Sequence, residues 1–437
     1  MSEPAGRDVL VVGAGLAAAQ PVAELREAGF DGRIRVLGGE GVPPYDRPPL
    51  SKHLFDRPHP SWLTDEIGVD LRALADEVRL DEPARGLLPG PRPAVLTDGG
   101  WVAADHVVLA TGAHAVRVPG WEAALTLHTA ADAERLRTAL RPGSRLVVIG
   151  AGWIGAEVAG VAAAAGHRVT VVEAAGAPLS AALGEAVGGL TAGWYHEAGV
   201  ELLTGARVAA VRPDAVELAD GRRLPADVVL AAVGARPATA WLGRSLPLAP
   251  DGAVPVGHRY AVLGAVEPQR PPAPTEGHPV FVVRDGTGAL ASGRRELPGL
   301  WAVGDVASRW SPRHGTVPGG HWDGALRGPR VLVGHLLGTP VPAPADDPAP
   351  YVFSTQLGHD LALFGAPGPG DEVLLRGDPT AGAGWSAIWL AGERATAALV
   401  VDRPRDVGAA RRLFAGAELP RVDRVTAADP GLPLRTA

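Results

Sequence analysis

No cysteine occurs anywhere in the 437 residues. That absence excludes structural disulfides, thiolate zinc sites, protein-held iron–sulfur clusters and a redox-active dithiol. The 13 histidines are scattered and form no H-E-x-x-H or comparable pair, so no metal site is expected. Any electron chemistry must then be carried by a bound organic cofactor. Lysine is almost missing as well: of the 41 Lys and Arg residues only Lys52 is a lysine. On a surface the two cations are largely exchangeable, so a lone ammonium in an arginine-rich chain marks either chance survival or a position that needs a compact point charge. No uncharged apolar run approaches the length that spans a membrane. The stretch Met1–Asp8 has neither a basic leader nor an apolar secretion core, which makes the cytoplasm the expected compartment. A net charge of -7 argues against a general nucleic-acid binder.

What is present is a repeated grammar. Val9-Leu10-Val11-Val12 runs into Gly13-Ala14-Gly15-Leu16-Ala17-Ala18, and Leu146-Val147-Val148-Ile149 runs into Gly150-Ala151-Gly152-Trp153-Ile154-Gly155. Each is an apolar strand without polar alternation, as in a parallel sheet buried on both faces, followed by a glycine turn and an alanine-rich helix. Residues 105–112 and 227–237 read as further buried strands ending in glycine turns, at equivalent places in the two units. The Pro- and Gly-rich stretch 252–293 reads as a loop-rich excursion, and 339–348 as the clearest linker. Beyond it, strand-like runs at 351–353, 361–364, 372–375, 386–390 and 395–401, with a helix near 405–414, suggest a small mixed domain.

A lone G-x-G-x-x-G is weak evidence, but each copy here follows a strand, opens a helix and is trailed by an acid, Glu40 or Glu173. Glycines let a backbone approach a pyrophosphate at a helix amino terminus, and the carboxylate binds ribose hydroxyls. Glu40 suits that role or a solvated loop acid. Glu173, directly after Val169-Thr170-Val171-Val172, suits it better, and it would repel a 2′-phosphate, favouring NADH over NADPH.

Together with Tyr45 to Lys52, Ala110-Thr111-Gly112, Gly150 to Glu157, Gly234-Ala235-Arg236-Pro237, Trp301 to Ala307 and His321-Trp322, these motifs make nearly the whole chain resemble the flavoprotein ferredoxin reductases of oxygenase electron-transfer chains. It is also similar to apoptosis-inducing factor. The resemblance implies an α/β fold with two Rossmann-like, doubly wound nucleotide-binding domains, glutathione-reductase-like but without the dithiol, plus a small C-terminal α+β domain. The implied bounds are 1–115 with 242–338 for FAD, 116–241 for NAD, and 350–437 for the last domain.

The resemblance further implies FAD on Gly13, Gly15, Leu16 and Ala17, with Glu40, Arg47, Lys52, Val78, Ala110, Thr111 and Gly112 along it. Gly304 and Asp305 would meet the ribityl chain, and His321 and Trp322 the flavin, although a helix cap for Asp305 and core packing for Trp322 remain open. NADH would lie on Gly150, Gly152, Trp153, Ile154, Gly155, Glu173 and Gly234. Lys52 and Glu157 would form an ion pair beside flavin N5, where nicotinamide delivers hydride; read alone, Glu157 is equally a helix-dipole partner.

The implied function is an NADH-dependent reductase that takes hydride onto FAD and passes electrons singly to a ferredoxin-type iron–sulfur protein. Arg309, Arg313, Arg327 and Arg330 suggest a basic docking patch for it, or simply a solvated surface. Direct action on a quinone or other small molecule, and a poorly turning-over redox sensor, are the alternatives, and the chain fits a monomer or a homodimer. Two departures bear on the acceptor. Asp323 to Pro329 lacks the Asn and Gln usual in relatives, and 252–293 is long.

Overall fold

The computed structural model describes residues 8–265 and 294–434. These fall into two compact units, the described parts of 8–46, 62–113 and 236–350 in one, and of 47–61, 114–235 and 351–437 in the other. The segment 47–61, carried with the first nucleotide domain in the sequence reading, therefore packs with the second unit.

The first unit is built on a sheet of nine strands among the described residues. Its centre is parallel. Asp8–Val12 lies between Arg33–Leu37 and His106–Leu109, with Val9 opposite Ile34 and His106. Val9, Leu10 and Val11 are fully buried, which is why this strand carries no polar alternation. Two helices, Leu16–Glu27 and Trp322–Leu336, pack side by side in this unit. The opening of the expected 252–293 loop is instead sheet: Val254–Val256 and Ala261–Ala265 pair antiparallel and join the nine strands. β-Branched and aliphatic residues at 254, 256 and 262 are wholly buried, so their packing overrides the nearby breakers. Residues 266–293 lie outside the described part of the chain.

The second unit repeats the grammar. Arg145–Ile149 lies between Arg168–Val172 and Val228–Ala231, all parallel. A five-stranded antiparallel sheet follows in the order Tyr351–Gln356, His359–Gly365, Arg394–Val401, Trp385–Ala391 and Glu372–Arg376. Leu361, Trp389 and Leu399 of this sheet share one core with Ala156 and Ala159 of the helix Trp153–Ala164. Gly160 permits the approach, because a Cβ there would sit 2.8 Å from the Leu357 backbone nitrogen.

The linker 339–348 has no strand or helix, yet its end is anchored in the first unit. Asp347 accepts from Arg309 Nη1 at 2.5 Å, Ser311 Oγ at 2.8 Å and Arg313 Nε at 3.3 Å. Asp346 faces Arg259 Nη2 at 3.5 Å and His258 at 3.8 Å. Burial alone would raise the Asp347 carboxyl; Arg309, Ser311 and Arg313 outweigh it and hold it below the ordinary value.

Candidate active site

In the first unit the glycine turn is shaped by contact. Gly13 has φ +125°, and a Cβ on it would lie 2.1 Å from the Ala110 carbonyl oxygen. At Gly15 a Cβ would meet nothing within 4 Å, so the turn opens to free space in front of the helix Leu16–Glu27. That helix has no side-chain cap, and the amides of Leu16 and Ala17 have no intrahelical carbonyl to bond. Gly304, at φ +76°, brings its turn against the same place: a Cβ there would be 2.5 Å from the Ala17 Cβ. Asp305 follows, with Oδ1 accepting from Gly320 N at 3.0 Å.

Trp322 opens its helix and donates its indole N–H to Asp46 Oδ1 at 2.6 Å, across 276 positions of sequence. Trp322 is thus oriented by a polar anchor as well as packed. Beside it, burial pushes the His321 imidazole down, against the pull of the Asp305 carboxylate, so a neutral ring is favoured. Glu40 is exposed, three residues past the strand Arg33–Leu37, and accepts from Tyr45 Oη at 2.7 Å. Thr111 Oγ1 donates to the Ala238 carbonyl at 2.9 Å, and Gly112 O accepts from Ala238 N at 2.9 Å. Val78 lies half-buried on the strand Glu77–Arg79, against the core. An open glycine turn, uncapped amides, an exposed acid and Asp305 in one unit fit an adenine dinucleotide with a ribityl arm.

The second turn has the same construction. Cβ atoms on Gly150 and Gly155 would lie 2.5 Å from Ala232 O and 2.0 Å from Gly150 O, whereas one on Gly152 would meet nothing within 4 Å. The helix Trp153–Ala164 starts there uncapped, with Trp153 half-buried and Ile154 exposed. Glu173 Oε2 accepts from Ala151 N at 2.7 Å and Oε1 from Ala175 N at 2.8 Å. Two amides thus fix the carboxylate at the turn, with lone pairs left for ribose hydroxyls. Gly234, at φ +104°, accepts from Val116 N at 3.0 Å. Arg47 lies in this unit too and donates to the His128 carbonyl at 2.5 Å.

Lys52 and Glu157, 105 residues apart, meet here: Nζ lies 2.7 Å from Oε1, with the side chains 14% and 5% exposed. Lys52 ends the short helix Pro49–Lys52, and Glu157 sits on the inward face of Trp153–Ala164. Ser51 Oγ donates to Glu157 Oε2 at 2.5 Å, Ser354 Oγ donates to Oε1 at 2.6 Å, and the Lys52 ammonium lies 5.1 Å from the Phe353 ring centre. Sequence reasoning missed Ser51, Phe353 and Ser354. Ser51 is next to Lys52 and could have been flagged; nothing in the sequence ties the strand Tyr351–Gln356 to Glu157.

Of the four arginines suggested as a docking patch, Arg327 and Arg330 are exposed and the other two are not. Arg309 and Arg313 are 6% and 7% exposed and turned onto Asp347, because a buried carboxylate needs its cations close. Arg327 pairs with Asp323 at 2.8 Å, one helical turn away. No helix among the described residues is long and apolar enough to cross a membrane.

A pyridine nucleotide-disulphide oxidoreductase model matches residues 7–263, and a reductase C-terminal model matches 351–437. The chain belongs to the pyridine nucleotide-disulphide oxidoreductase family. It is accordingly an FAD-dependent oxidoreductase that works with NAD(H). This family member carries no cysteine, so the disulphide of the family's name has no counterpart in it. It is 32% identical over 417 residues to the biphenyl dioxygenase system ferredoxin–NAD(+) reductase component of Paraburkholderia xenovorans, covering 93% of this chain and 92% of that one. Among solved structures it is similar to Fdr9, with TM-score 0.83 and 38% identity over 98% of this chain and 99% of that chain. The covalent putidaredoxin reductase–putidaredoxin complex gives TM-score 0.79 and 26% identity over 99% and 98%.

Proposed function

We propose that this chain is an NADH-dependent flavoprotein reductase that passes electrons one at a time to a ferredoxin-type iron–sulfur protein serving an oxygenase. The observation that carries the reading is the buried Lys52–Glu157 pair, held by Ser51 and Ser354, in the unit that also holds the second glycine turn. Likeness to ferredoxin–NAD(+) reductase components over nine-tenths of the chain supports the acceptor. Its setting would be the cytoplasm, where a diffusible carrier meets NADH.

Bound FAD supplies the conversion between a two-electron donor and a one-electron acceptor. The chain's own residues bind and orient. The amides of Leu16 and Ala17 would take the FAD pyrophosphate, Glu40 the ribose, and Asp305 the ribityl hydroxyls. The uncapped helix at Trp322 would favour negative charge at the flavin pyrimidine edge. Gly152 and its helix would take the NADH pyrophosphate, and Glu173 the adenosine ribose. Lys52 and Glu157 would balance charge as hydride is transferred; their mutual hydrogen bond leaves neither a free nucleophile.

The test is rapid mixing of FAD-loaded protein with NADH, then turnover with ferredoxins, quinones and oxygen in parallel. Glu157→Gln should slow flavin reduction by about a hundredfold, as expected for removing a preorganised charge. Unchanged reduction in that variant, or faster turnover with quinones than with every ferredoxin, would overturn the reading.

A further inference from the structure

Ser354 is 197 residues from Glu157 in sequence, yet its hydroxyl donates to Oε1, the oxygen that Lys52 also takes. A carboxylate oxygen has two lone pairs, and here Ser354 at 2.6 Å and Lys52 at 2.7 Å share them, while Ser51 holds the other oxygen. Ser354 is 2% exposed, and a hydroxyl so buried costs free energy unless it is paired. The residue before it, Phe353, places its ring 5.1 Å from the ammonium. One short strand, Tyr351–Gln356, thus touches both members of the pair. Its placement is specific, since the turn that ends it approaches Gly160, three residues beyond Glu157 on the same helix.

We propose that Ser354 is a positioning residue for the Lys52–Glu157 pair, so that the C-terminal sheet completes the redox site. With Ser354 in place the ammonium is confined to one lone pair of Oε1 and to the face of Phe353. Without it the carboxylate rotates and the ammonium wanders between two oxygens, which loosens the geometry on which hydride transfer depends. This rests on the reading of the pair as serving that transfer.

Lys52 being the sole lysine, protein labelled with ε-13C lysine gives one side-chain signal from the site. The signal is compared among the FAD-loaded parent, Ser354→Ala and Ser354→Thr, with FAD content read at the flavin's visible band. The alanine variant is expected to displace the resonance, keep its FAD, and lower the limiting rate of reduction by NADH about tenfold, as for one lost hydrogen bond to a charged group. The KM for NADH should stay within about twofold, since only the reacting geometry changes. Threonine, which keeps the hydroxyl, should restore signal and rate. Should the alanine variant not fold, Ser354→Cys keeps the volume, weakens the donor and gives the same comparison. A resonance coincident with the parent, or an unaltered limiting rate, overturns the proposal. An impaired Glu157→Gln beside a parent-like Ser354→Ala sinks only the role of Ser354; parent-like rates in both sink the reading of the pair itself.

Discussion

At the residue scale, the role proposed for Glu173 is to select a cofactor by being unable to move. One oxygen is tied at 2.7 Å to the Ala151 amide of the glycine turn, the other at 2.8 Å to the amide of Ala175, two residues further along the chain. It therefore cannot swing aside for a 2′-phosphate. Glu173→Gln keeps the shape and removes the charge, and should cut the preference for NADH over NADPH in kcat/KM about tenfold. A second prediction concerns the ion pair. Lys52→Met leaves the Glu157 carboxylate buried without its cation, which costs about 3–5 kcal/mol, so chemical denaturation should show a clearly lower midpoint than the parent. The place of Glu173 after a buried strand is what suggests its proposed role, and the Lys52–Glu157 pairing was legible in the sequence, Lys52 being alone of its kind. Ser354 and the Asp46–Trp322 bond were not, because hydrogen bonds across 197 and 276 residues leave no local pattern.

At the scale of elements, the strand–turn–helix units and the C-terminal strands could be read because their patterns are local. The five runs read after the linker are all strands, each longer than the run itself; 351–353, for instance, is the first half of Tyr351–Gln356. The linker was harder. Its prolines announce a break, but only the fold reveals that Asp346 and Asp347 tie it down. That anchor has a pH signature. Asp347 is held below the ordinary 3.8, so its contribution is present above that pH and is lost as pH falls through the lower folded-state value. His314 in the same cluster is pushed down to about 4 by burial, with Arg313 adding to it. An imidazole depressed from 6.5 to about 4 makes the unfolded chain the better proton binder across that interval, so stability falls as pH drops from 6.5 to 4. Melting curves across this range should decline for the parent and decline less steeply for His314→Gln, since His321, also pushed down by burial, still contributes. Gly160→Ala tests the packing of the sheet on its helix: a methyl 2.8 Å from Leu357 N pushes the turn after Tyr351–Gln356 off the helix and should cost about 1–3 kcal/mol in denaturation.

Over the whole molecule, composition decided most. With no thiol in the sequence, reducing equivalents cannot be handed to a disulfide by this chain, and purified FAD-loaded protein should show no turnover of oxidised glutathione. The two nucleotide-binding units and the additional domain were readable from repeated motifs and from the breaker cluster between 339 and 348. Two members of the suggested basic patch were misplaced, because counting arginines near a motif cannot reveal which are spent on buried carboxylates, as Arg309 and Arg313 are. One consequence of the solitary lysine reaches beyond chemistry. A lysine-directed protease finds a single cleavable bond in 437 residues, after Lys52, where the side chain is clamped at the end of a short helix. The rate at which the intact chain becomes two fragments is therefore a clock for how often the heart of the site comes open.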